Sequence, residues 1–222
     1  LTLLASQEVD GVILSTASSS DEELLVFAEN YKPLVVINRD IDHPKASLVN
    51  VDICKGAKLA VEHLIDRGHT RIAMLSHEGH LPDKVRRVLG YRETLKAHGI
   101  TPNDEWLLLA PPNLTGGYDA TQQLLKAHPE ITAIFTYNDL MAIGALRGCY
   151  DMGLRVPQDC AIIGFDDIKF SAMTQPSLSS ISFDKYAVGQ TAMLRLLEIF
   201  EEPDVIYESI HLDVGLIIRE ST

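Results

Sequence analysis

The apolar positions of this chain follow two spacings in alternation. Short runs rich in Val, Ile and Leu, such as Val9–Leu14 and Pro33–Asn38, are separated by longer segments whose apolar residues recur at helical spacing. The segment Lys55–Arg67 shows the helical spacing, and Gly68 follows it at the position where a helix ends. Pro33–Asn38 is so apolar that both of its faces must be covered, as in a parallel sheet. The alternation predicts βαβ units and an α/β fold.

The same spacings divide the rest of the chain into predicted elements. The predicted strands cover Val9–Leu14, Pro33–Asn38, Leu48–Val51, Arg71–Leu75, Glu105–Ala110, Ala133–Thr136, Ala161–Phe165 and Asp213–Ile218. The predicted helices cover Asp21–Asn30, Lys55–Arg67, Val85–His98, Gly117–Ala127, Asp139–Met152 and Asp184–Phe200. The sequence has no repeat, low-complexity tract or Pro/Gly-rich linker. Two independent domains on a flexible tether are therefore not expected, and two lobes would be joined by several ordinary loops.

Polar side chains follow four of the predicted strands at the points where the strands end. In doubly wound sheets, ligands sit beyond the carboxyl ends of the strands. That rule selects Asn38, Arg39, Asp40, Ser76, His77, Tyr137, Asn138, Asp166 and Asp167. Asn and Asp side chains match the vicinal hydroxyls of a sugar, and Arg adds a planar fork of donors. Strand-end Asn and Asp also cap the helices that follow, and capping or hinge structure is the main interpretation for Asp139 and Asp167.

The charge balance argues against direct DNA binding by this chain. Its 222 residues include 31 acidic and 19 basic side chains, which gives a formal net charge of −12. Affinity for DNA comes largely from cations that neutralise phosphates. The sequence contains no basic patch with interleaved aromatic residues. We therefore expect any DNA-binding part of the protein to lie outside it.

Cysteine usage and hydropathy bear on the compartment. Cys54, Cys149 and Cys160 are widely spaced, form no metal-ligand pair and suit a reducing cytosol as free thiols. No apolar run approaches the roughly 18 to 20 residues of a membrane-spanning helix. Leu1–Gln7 lacks the basic region and cleavage site of a signal peptide. The sequence predicts a cytoplasmic protein without a membrane partner.

Four short motifs resemble catalytic signatures, and none of them matches one. They are His77-x-x-His80, Gly116-Gly117, Ser19-Ser20 and Asp166-Asp167. The histidine pair is not an H-E-x-x-H motif and falls in a predicted loop, and the glycine pair lacks both the G-x-G-x-x-G and the Walker pattern. The serines have no G-x-S-x-G elbow, and the aspartate pair offers no positioned general acid. We predict no catalytic residue, no metal, no cofactor and no enzymatic activity.

Two long segments in the second half of the chain carry a family resemblance. Pro129–Leu146 reads PEITAIFTYNDLMAIGAL, and Gly153–Ile168 reads GLRVPQDCAIIGFDDI. Shorter motifs fall in the same family order: Val9–Leu14 (VDGVIL), Val36–Arg39 (VINR), Gly56 through His63–His69 (HLIDRGH), Arg71–Ala73 (RIA), Arg87-x-x-Gly90-Tyr91, Pro176-x-Leu178 and Leu216–Ser221 (LIIRES). Across essentially its whole length, the chain resembles the effector-binding domain of LacI/GalR transcription regulators.

The resemblance implies a two-lobe, periplasmic-binding-protein-like fold in which each lobe is a parallel sheet flanked by helices. Three hinge crossings are then expected near residues 51–52, 182–184 and 212–215. Lobe one would hold residues 1–51 and 184–212, and lobe two would hold residues 52–183 and 213–222. Family members open with a helix-turn-helix headpiece, followed by the first strand and helix of lobe one. We expect these parts to precede the sequence, which leaves lobe one truncated at its N-terminus.

The resemblance also assigns positions to the ligand. The predicted ligand-binding residues are Arg87, Asn138, Asp166, Asn38, Asp40, Phe183, Ser76 and Tyr137. Arg87, Asn138 and Asp166 match the effector-contact positions of the family. Asn38 or Asp40 would contribute from the opposite lobe. This polar set favours a sugar as the effector.

Two residues of this region keep a second interpretation. Phe183, at the second crossing, is expected either to lie against an apolar sugar face or to belong to the core. Arg39 is equally compatible with an ion pair between the lobes. A purine effector would require a stacking aromatic ring, which Phe183 or Tyr137 would supply.

The helix predicted at Asp139–Met152 carries more apolar surface than one face needs. Members of the family pair through this region, so the resemblance predicts a homodimer. The predicted dimer-interface residues are Leu140, Met141, Ile143, Leu146 and Tyr150. The alternative is a helix that is simply buried against its own sheet.

The function implied by the resemblance is a ligand-driven conformational switch. A small molecule in the cleft between the lobes would favour one lobe arrangement and change the affinity of the headpiece for operator DNA. The alternative is a periplasmic sugar-binding protein of a transport system, which shares the fold and the site chemistry. The free cysteines, the lack of a recognisable export signal and the regulator-like run Leu154–Ile168 argue against transport.

Overall fold

The chain divides into two compact units in the computed structural model, which describes residues 9–15, 21–30, 33–39, 47–79, 81–203 and 205–222. Unit one comprises Leu1–Asp52 and Asp184–Asp213, and unit two comprises Ile53–Phe183 and Val214–Thr222. The chain thus passes from one unit to the other after residues 52, 183 and 213. The sequence-based boundaries lie after residues 51, 183 and 212.

Regular elements lie close to the predicted ones. The strands are β1 Val12–Leu14, β2 Leu34–Ile37, β3 Ser47–Val51, β4 Ile72–His77, β5 Leu107–Ala110, β6 Ala133–Thr136, β7 Ala161–Phe165, β8 Ser179–Ser182, β9 Ile210–Leu212 and β10 Gly215–Ile217. The helices are α1 Asp21–Asn30, α2 Ile53–Asp66, α3 Pro82–Ala97, α4 Leu114–Ala127, α5 Asp139–Asp151 and α6 Lys185–Glu201. Short 3₁₀ helices cover Asp104–Trp106 and Lys169–Ala172. The predicted strand at Glu105–Ala110 therefore begins two residues later than expected.

Unit one is built on a parallel sheet with the strand order β1-β2-β3-β9. Leu24, Phe27 and Ala28 of α1 pack with Leu34 and Val36 of β2 in its core. The second helix, α6, lies against β1, β2 and β3. The buried, apolar strand β2 confirms the prediction that both faces of this segment are covered.

Unit two is built on a six-stranded sheet with the order β10-β8-β7-β6-β4-β5. Its pairs are parallel except for the antiparallel pair β10–β8. On one face, Leu75, Ile134 and Ile162 pack into a core that also contains Met141 and Ala145 of α5. Helices α2 and α3 contact the strands of this sheet and each other. Since successive side chains of a strand point to opposite faces, the sheet supports two distinct helix layers. The α/β fold class is confirmed.

Strand β8 is absent from the prediction because it lacks an apolar pattern. Its residues Ser179 and Ser180 are nevertheless fully buried. Ser179 accepts a hydrogen bond from the Arg219 N–H at 2.8 Å and shares a 2.8 Å hydroxyl contact with Thr222. Ser180 donates to Asp139 Oδ1 at 2.6 Å. Buried hydroxyls with partners of this kind form a strand that hydrophobic periodicity does not detect.

The C-terminal residues are part of the core of unit two. Ser221 is fully buried, donates from its hydroxyl to Ile162 O at 2.6 Å and accepts from the Ser179 N–H at 2.8 Å. The Thr222 hydroxyl lies 2.8 Å from Nε2 of His63, a buried residue of α2. Burial, followed by the charge of Arg67, lowers the pKa of His63. The neutral ring therefore joins the chain end to α2 at neutral pH.

None of the described helices combines the length and the apolar character that a bilayer-spanning segment needs.

Candidate functional site

The carboxyl ends of three neighbouring strands in unit two bring polar and aromatic side chains together. β4, β6 and β7 are adjacent and parallel, and they end at His77, Thr136 and Phe165. Tyr137 follows β6 directly and Asp166 follows β7 directly. Helix α3 lies against this sheet and contributes Arg87. This is the edge at which doubly wound sheets bind ligands.

Arg87 lies at the centre of the group. Its guanidinium carbon is 4.2 Å from the ring centre of Tyr137 and 4.1 Å from that of Phe165. The residue is only 4% exposed. Each aromatic face contributes roughly 0.5–2 kcal/mol to holding a cation in such a contact. The two rings therefore fix the plane of the guanidinium.

The hydrogen-bond donors of Arg87 are only partly used. Among the described residues, its Nε and Nη1 atoms have no hydrogen-bond partner, although both are buried. Nη1 lies 3.9 Å from Asp83 Oδ2, and Nη2 lies 3.8 Å from Asp166 Oδ1. These separations give electrostatic attraction without a hydrogen bond. A buried donor without an acceptor costs about 1–3 kcal/mol, so this side chain is the candidate for a hydrogen bond to a ligand.

The backbone after β7 is held in an unusual conformation beside Arg87. Asp166 and Asp167 have φ values of +102° and +46°, a region that favours glycine. The Asp166 N–H donates to Ile181 O at 2.8 Å, and the Asp167 N–H donates to Ser180 Oγ at 3.1 Å. Arg219 donates to Asp167 Oδ1 at 2.7 Å. These bonds hold the Asp166 carboxylate near the guanidinium, and strain of this kind clusters at binding sites.

Tyr137 and His77 form the aromatic wall on one side of Arg87. Their rings meet edge to face, with centres 5.3 Å apart and planes at 75°. Burial raises the pKa of the Tyr137 hydroxyl, and the charge of Arg87 opposes that rise. Burial lowers the pKa of His77, whose Nδ1 accepts the Gly79 N–H at 2.6 Å. Both rings are therefore neutral at neutral pH.

Ser76 is a second buried polar residue whose hydrogen-bonding groups are not fully used. It is fully buried on β4, and its hydroxyl has no hydrogen-bond partner among the residues that the structure describes. Its neighbour Leu75 packs into the core that contains α5, so Ser76 points to the opposite face of the sheet. Phe165 packs beside Gly56 of α2 on that opposite face. Ser76 is thus on the same face of the sheet as the ring that supports Arg87.

The side-chain amide of Asn138 forms two hydrogen bonds within the protein. Its Oδ1 accepts the Met141 N–H at 2.9 Å and caps α5. Its Nδ2 donates to Pro112 O at 3.1 Å. One amide N–H and one oxygen lone pair remain. For this residue the capping function that the sequence left open is present, and its ligand contact stays a prediction.

Asn38 and Phe183, two further predicted ligand residues, belong to different units. In unit one, Asn38 follows β2 with φ +58°, and its Oδ1 accepts the Val51 N–H at 3.0 Å. The backbone of Arg39 exchanges two 2.9 Å hydrogen bonds with the side chain of Asn50. Asp40 lies outside the described residues. Phe183 is half-buried at the end of one segment of unit two. For these residues a ligand role remains a prediction.

The predicted dimer-interface residues divide between surface and core. Leu140 and Tyr150 are exposed by 38% and 73%, and Ile143 is half-buried. Met141 is fully buried in the core of unit two, and Leu146 is nearly so. The structure therefore corrects the prediction for Met141, because a fully buried side chain presents no surface to a partner. Leu146 is 8% exposed and lines a surface groove with Ile143 and Tyr150, so its place in an interface stays a prediction.

Two residues of the Arg87 site were missed in the sequence-based prediction of ligand contacts. Asp83 precedes Arg87 by four positions on α3, a spacing that places two helical side chains together. Phe165 was assigned only to a buried strand. The i,i+4 spacing of Asp83 was readable from the sequence, whereas the contact of Phe165 with a helix distant in sequence was not.

Among the described residues, no group of three or more His, Cys, Asp and Glu side chains is placed to hold a metal ion. His80, the second histidine of the H-x-x-H motif, lies outside the described residues.

Comparisons with known proteins agree with this architecture. The family described as a periplasmic binding protein-like domain matches residues 61–222. The HTH-type transcriptional repressor PurR of Mannheimia succiniciproducens is 31% identical over 222 residues, which are 100% of this chain and 66% of that protein. The complex of the transcriptional regulator CelR with cellobiose superposes with a TM-score of 0.90 at 30% identity, covering 100% of this chain and 68% of that one. A LacI family regulator from Enterococcus faecium with bound ribose gives a TM-score of 0.87 at 29% identity, covering 99% and 81%.

These matches confirm the periplasmic-binding-protein-like fold and the resemblance seen in the motifs. The chain spans about two thirds of the length of the curated relatives that it matches. The family match extends over most of the chain, and the solved relatives cover all or nearly all of it. The chain belongs to the LacI family of transcription regulators and carries the effector-binding domain of that family.

Proposed function

We propose that this chain binds a sugar as the small-molecule effector of a bacterial LacI-type transcription regulator, at the Arg87 site of unit two. The observation that carries the proposal is a guanidinium, 4% exposed, whose Nε and Nη1 atoms have no hydrogen-bond partner among the described residues. Such a group is costly in the free protein and favourable once a ligand oxygen accepts its hydrogen bonds.

A sugar fits the chemistry around this guanidinium. Each hydroxyl both donates and accepts, so one hydroxyl accepts from Arg87 while its hydrogen reaches the carboxylate of Asp83 or Asp166. The 3.8–3.9 Å gaps leave both carboxylates near the guanidinium without direct hydrogen bonds to it. The complexes of CelR with cellobiose and of the Enterococcus faecium regulator with ribose support this ligand class.

The same proposal accounts for regulation without catalysis. The net charge of −12 disfavours contact between this chain and DNA phosphates. Operator DNA is then bound by a headpiece outside this sequence, in the cytoplasm. A ligand that favours one conformation changes operator affinity by linkage. The relatives are regulators, so the transport alternative is not favoured, and we propose no enzymatic activity.

A thermal-shift screen of the purified chain tests the ligand class. The panel comprises ribose, glucose, galactose, cellobiose and the purine bases adenine and hypoxanthine. At about 100 times its Kd a bound ligand adds about 2.7 kcal/mol of stability, which corresponds to a rise in melting temperature of about 5–10 °C. We expect such a saturable shift from at least one sugar and from neither purine. A shift with a purine alone contradicts the assignment of a sugar.

The exposed surface of α5 supports a homodimer as the second part of the proposal. Tyr150 is 73% exposed, and it lines a groove of about 290 Å³ together with Ile143, Leu146, Arg147, Thr174 and Gln175. Met173, which directly precedes Thr174 of this groove, is 77% exposed. Apolar side chains concentrated in this way are typical of protein–protein interfaces. A second copy of the chain is the partner that we propose for this surface.

Sedimentation velocity tests the dimer. The wild-type chain is expected to sediment as a dimer at about 10 µM, and Tyr150→Glu is expected to sediment as a monomer, because buried aromatic residues dominate interface energies. Tyr186→Glu, an equally exposed tyrosine on α6 of unit one, serves as the matched control and should leave the dimer intact. A wild-type monomer, or a dimer that Tyr150→Glu does not weaken, contradicts this interface.

A further inference from the structure

We infer that Arg219 is a positioning residue of the Arg87 site, and that through Asp167 it links this site to the chain segment that enters unit two after residue 213. The inference rests on the proposed function, because it concerns what sets the affinity of that same site. Arg219 acts through the turn after β7, which carries Asp166 and Asp167.

The turn after β7 depends on contacts with other segments. Asp166 and Asp167 have φ values of +102° and +46°, where residues other than glycine are disfavoured. A backbone in this region persists only when the surrounding structure holds it there. The Asp166 N–H donates to Ile181 O at 2.8 Å, and the Asp167 N–H donates to Ser180 Oγ at 3.1 Å. These bonds to β8 hold the two amides, and the side chain of Asp167 is held separately by Arg219.

Arg219 holds the turn through a planar fork of donors. Its Nη2 donates to Asp167 Oδ1 at 2.7 Å, and its Nη1 donates to Leu178 O at 2.6 Å. The side chains of this ion pair are 18% and 20% exposed. A charge-assisted hydrogen bond of this length, largely shielded from water, is stronger than one between neutral groups. A single guanidinium therefore fixes the turn after β7 against the residue that precedes β8.

The backbone of Arg219 is itself fixed. Its N–H donates to Ser179 Oγ at 2.8 Å. The strand β10, which ends two residues earlier, pairs with β8. Two residues further on, the Ser221 hydroxyl donates to Ile162 O of β7 at 2.6 Å. The guanidinium thus extends from a backbone that is bonded on both sides, so it can hold Asp167 in place rather than follow its movement.

The position of Asp166 connects this ion pair to the ligand site. Asp166 directly precedes Asp167, and its Oδ1 lies 3.8 Å from Nη2 of Arg87. A change of φ at Asp167 reorients the peptide that joins the two residues, and the Asp166 carboxylate then changes its place relative to the guanidinium. Binding groups must be held close to their productive geometry to give full affinity. Loss of Arg219 is therefore expected to weaken binding at Arg87.

The same ion pair connects the site with the segment that follows residue 213. Val214–Thr222 belongs to unit two, and β10 lies between the point of entry and Arg219. Coupling between two sites is reciprocal. A ligand that fixes Asp166 should therefore also stabilise the segment that carries Arg219, and amide exchange in residues 214–218 should slow when the site is occupied.

Amide hydrogen exchange followed by NMR tests the conformational part without a ligand. Arg219→Met removes the side-chain donors and keeps a side chain of similar length, and it should accelerate exchange of the Asp166 and Asp167 amides by about tenfold or more. Strand β6, on the far side of β7 from β8, should exchange as in the wild type. Arg155→Met is the matched control, since Arg155 pairs with Asp159 at 2.7 Å before β7 and is 72% exposed. It should leave exchange in the turn unchanged.

Calorimetry with ribose, glucose, galactose and cellobiose tests the link to binding. For a sugar that binds the wild type, Arg219→Met should raise the Kd by about tenfold or more. Arg219→Lys keeps the charge without the fork and should lie between the two. Asp167→Asn removes the charge and tolerates the same backbone region, so it should weaken binding less than Arg219→Met. In the double variant the two effects should not add, because both changes remove one ion pair.

The outcomes separate this inference from the proposed function. Unchanged exchange of the Asp166 and Asp167 amides in a folded Arg219→Met protein overturns the hold of Arg219 on the turn. Faster exchange throughout unit two with a wild-type Kd shows a structural role and overturns the positioning role. Additive effects in the double variant overturn the route through Asp167, and bound sugar that leaves exchange in residues 214–218 unchanged overturns the link to that segment.

Failure of every sugar of the panel to bind the wild-type chain contradicts the proposed function and the effect on affinity with it, whereas the exchange result for the turn stands on its own. Should Arg219→Met not melt cooperatively, Arg219→Lys and Asp167→Asn are measured in the same way, because each keeps a hydrogen bond at this place.

Discussion

Replacement of Asp139 by alanine is expected to lower the free energy of unfolding of this chain by about 4 kcal/mol. Asp139 is fully buried at the start of α5. Its carboxylate accepts three hydrogen bonds, from the Ile168 N–H at 2.8 Å and from the hydroxyls of Ser171 and Ser180 at 2.6 Å each. The alanine leaves two buried hydroxyls and one partly buried N–H without this acceptor, at about 1–3 kcal/mol for each buried donor before relaxation. Urea denaturation followed by circular dichroism measures the change.

The same substitution is expected to weaken ligand binding indirectly. Asp139 joins α5 to the segment after β7, which carries Asp166 two residues before Ile168. It also joins α5 to β8 through Ser180, whose hydroxyl accepts the Asp167 N–H. Burial raises the pKa of Asp139, and the three hydrogen bonds oppose that rise. The residue therefore positions the strained pair Asp166-Asp167 from within the core of unit two.

Two controls separate this network from a general sensitivity of α5. Asp139→Asn keeps one acceptor oxygen in nearly the same shape and should lose about half as much stability as the alanine. Asp151→Ala, at the other end of the helix, removes ion pairing with the exposed Arg147 and should cost less than about 1 kcal/mol. A loss below about 1.5 kcal/mol for Asp139→Ala would show that the three donors find other partners.

The group of residues around Arg87 was predictable in part, from one general rule and one family motif. Ligands lie beyond the carboxyl ends of parallel strands, and that rule selected Ser76, Tyr137 and Asp166 from hydropathy alone. The structure places the residues after β6 and β7 around one guanidinium. Arg87 itself entered through the family motif, because a residue in the middle of a helix carries no strand-end signal.

The sequence did not determine the roles of polar residues that have two possible hydrogen-bond partners. Asn138 at a strand end can cap the next helix or contact a ligand, and spacing along the chain does not distinguish the two. The structure shows the cap, formed with the Met141 N–H. Ser179 and Ser180 read as loop residues, yet they form a buried strand because Thr222, Arg219 and Asp139 satisfy their hydroxyls. Such partners are distant in sequence, so periodicity does not report them.

The apolar excess of α5 has a similar explanation. The helix packs against α4 so closely that a methyl group at Gly144 would overlap Leu114 O, and one at Gly117 would overlap Met141 O. This close approach gives α5 a second buried face besides the one on the sheet. Met141 and Leu146 fill the core, and Leu140 and Tyr150 remain on the surface. The sequence showed correctly that α5 is rich in apolar residues, but it did not show which face of the helix each of them occupies.

Under the proposed function, the Arg87 site combines a cost in the free protein with a gain in the complex. Arg87 is held between two rings and near two carboxylates, yet two of its donor atoms are buried with no partner among the described residues. Binding residues are often arranged in this way, because interactions reserved for the ligand are absent from the folded apo state. Stability and affinity should therefore respond in opposite directions when this side chain becomes apolar.

Arg87→Met is accordingly expected to abolish sugar binding while leaving the free protein at least as stable. Methionine fills the space between Tyr137 and Phe165 without a buried donor, and the partly exposed Asp83 and Asp166 keep contact with water. Replacement of a buried ion pair by an apolar side chain is often neutral or stabilising. The melting temperature should stay within about 2 °C of the wild type or rise. The Kd of the sugar found in the screen should increase by at least about 100-fold, because at least two charge-assisted hydrogen bonds are lost.

Arg92→Met provides the matched control on the same helix. Arg92 pairs with the exposed Asp104 at 2.7 Å, so its loss should change neither affinity nor stability by a measurable amount. Arg87→Lys keeps the charge but loses the planar fork and the stacking, and it should bind at least about tenfold more weakly than the wild type. Calorimetry and thermal melting of the three variants distinguish the alternatives. Wild-type affinity in a folded Arg87→Met protein would show that the ligand does not bind at this guanidinium. A large fall in melting temperature would show that Arg87 stabilises unit two and has a structural role.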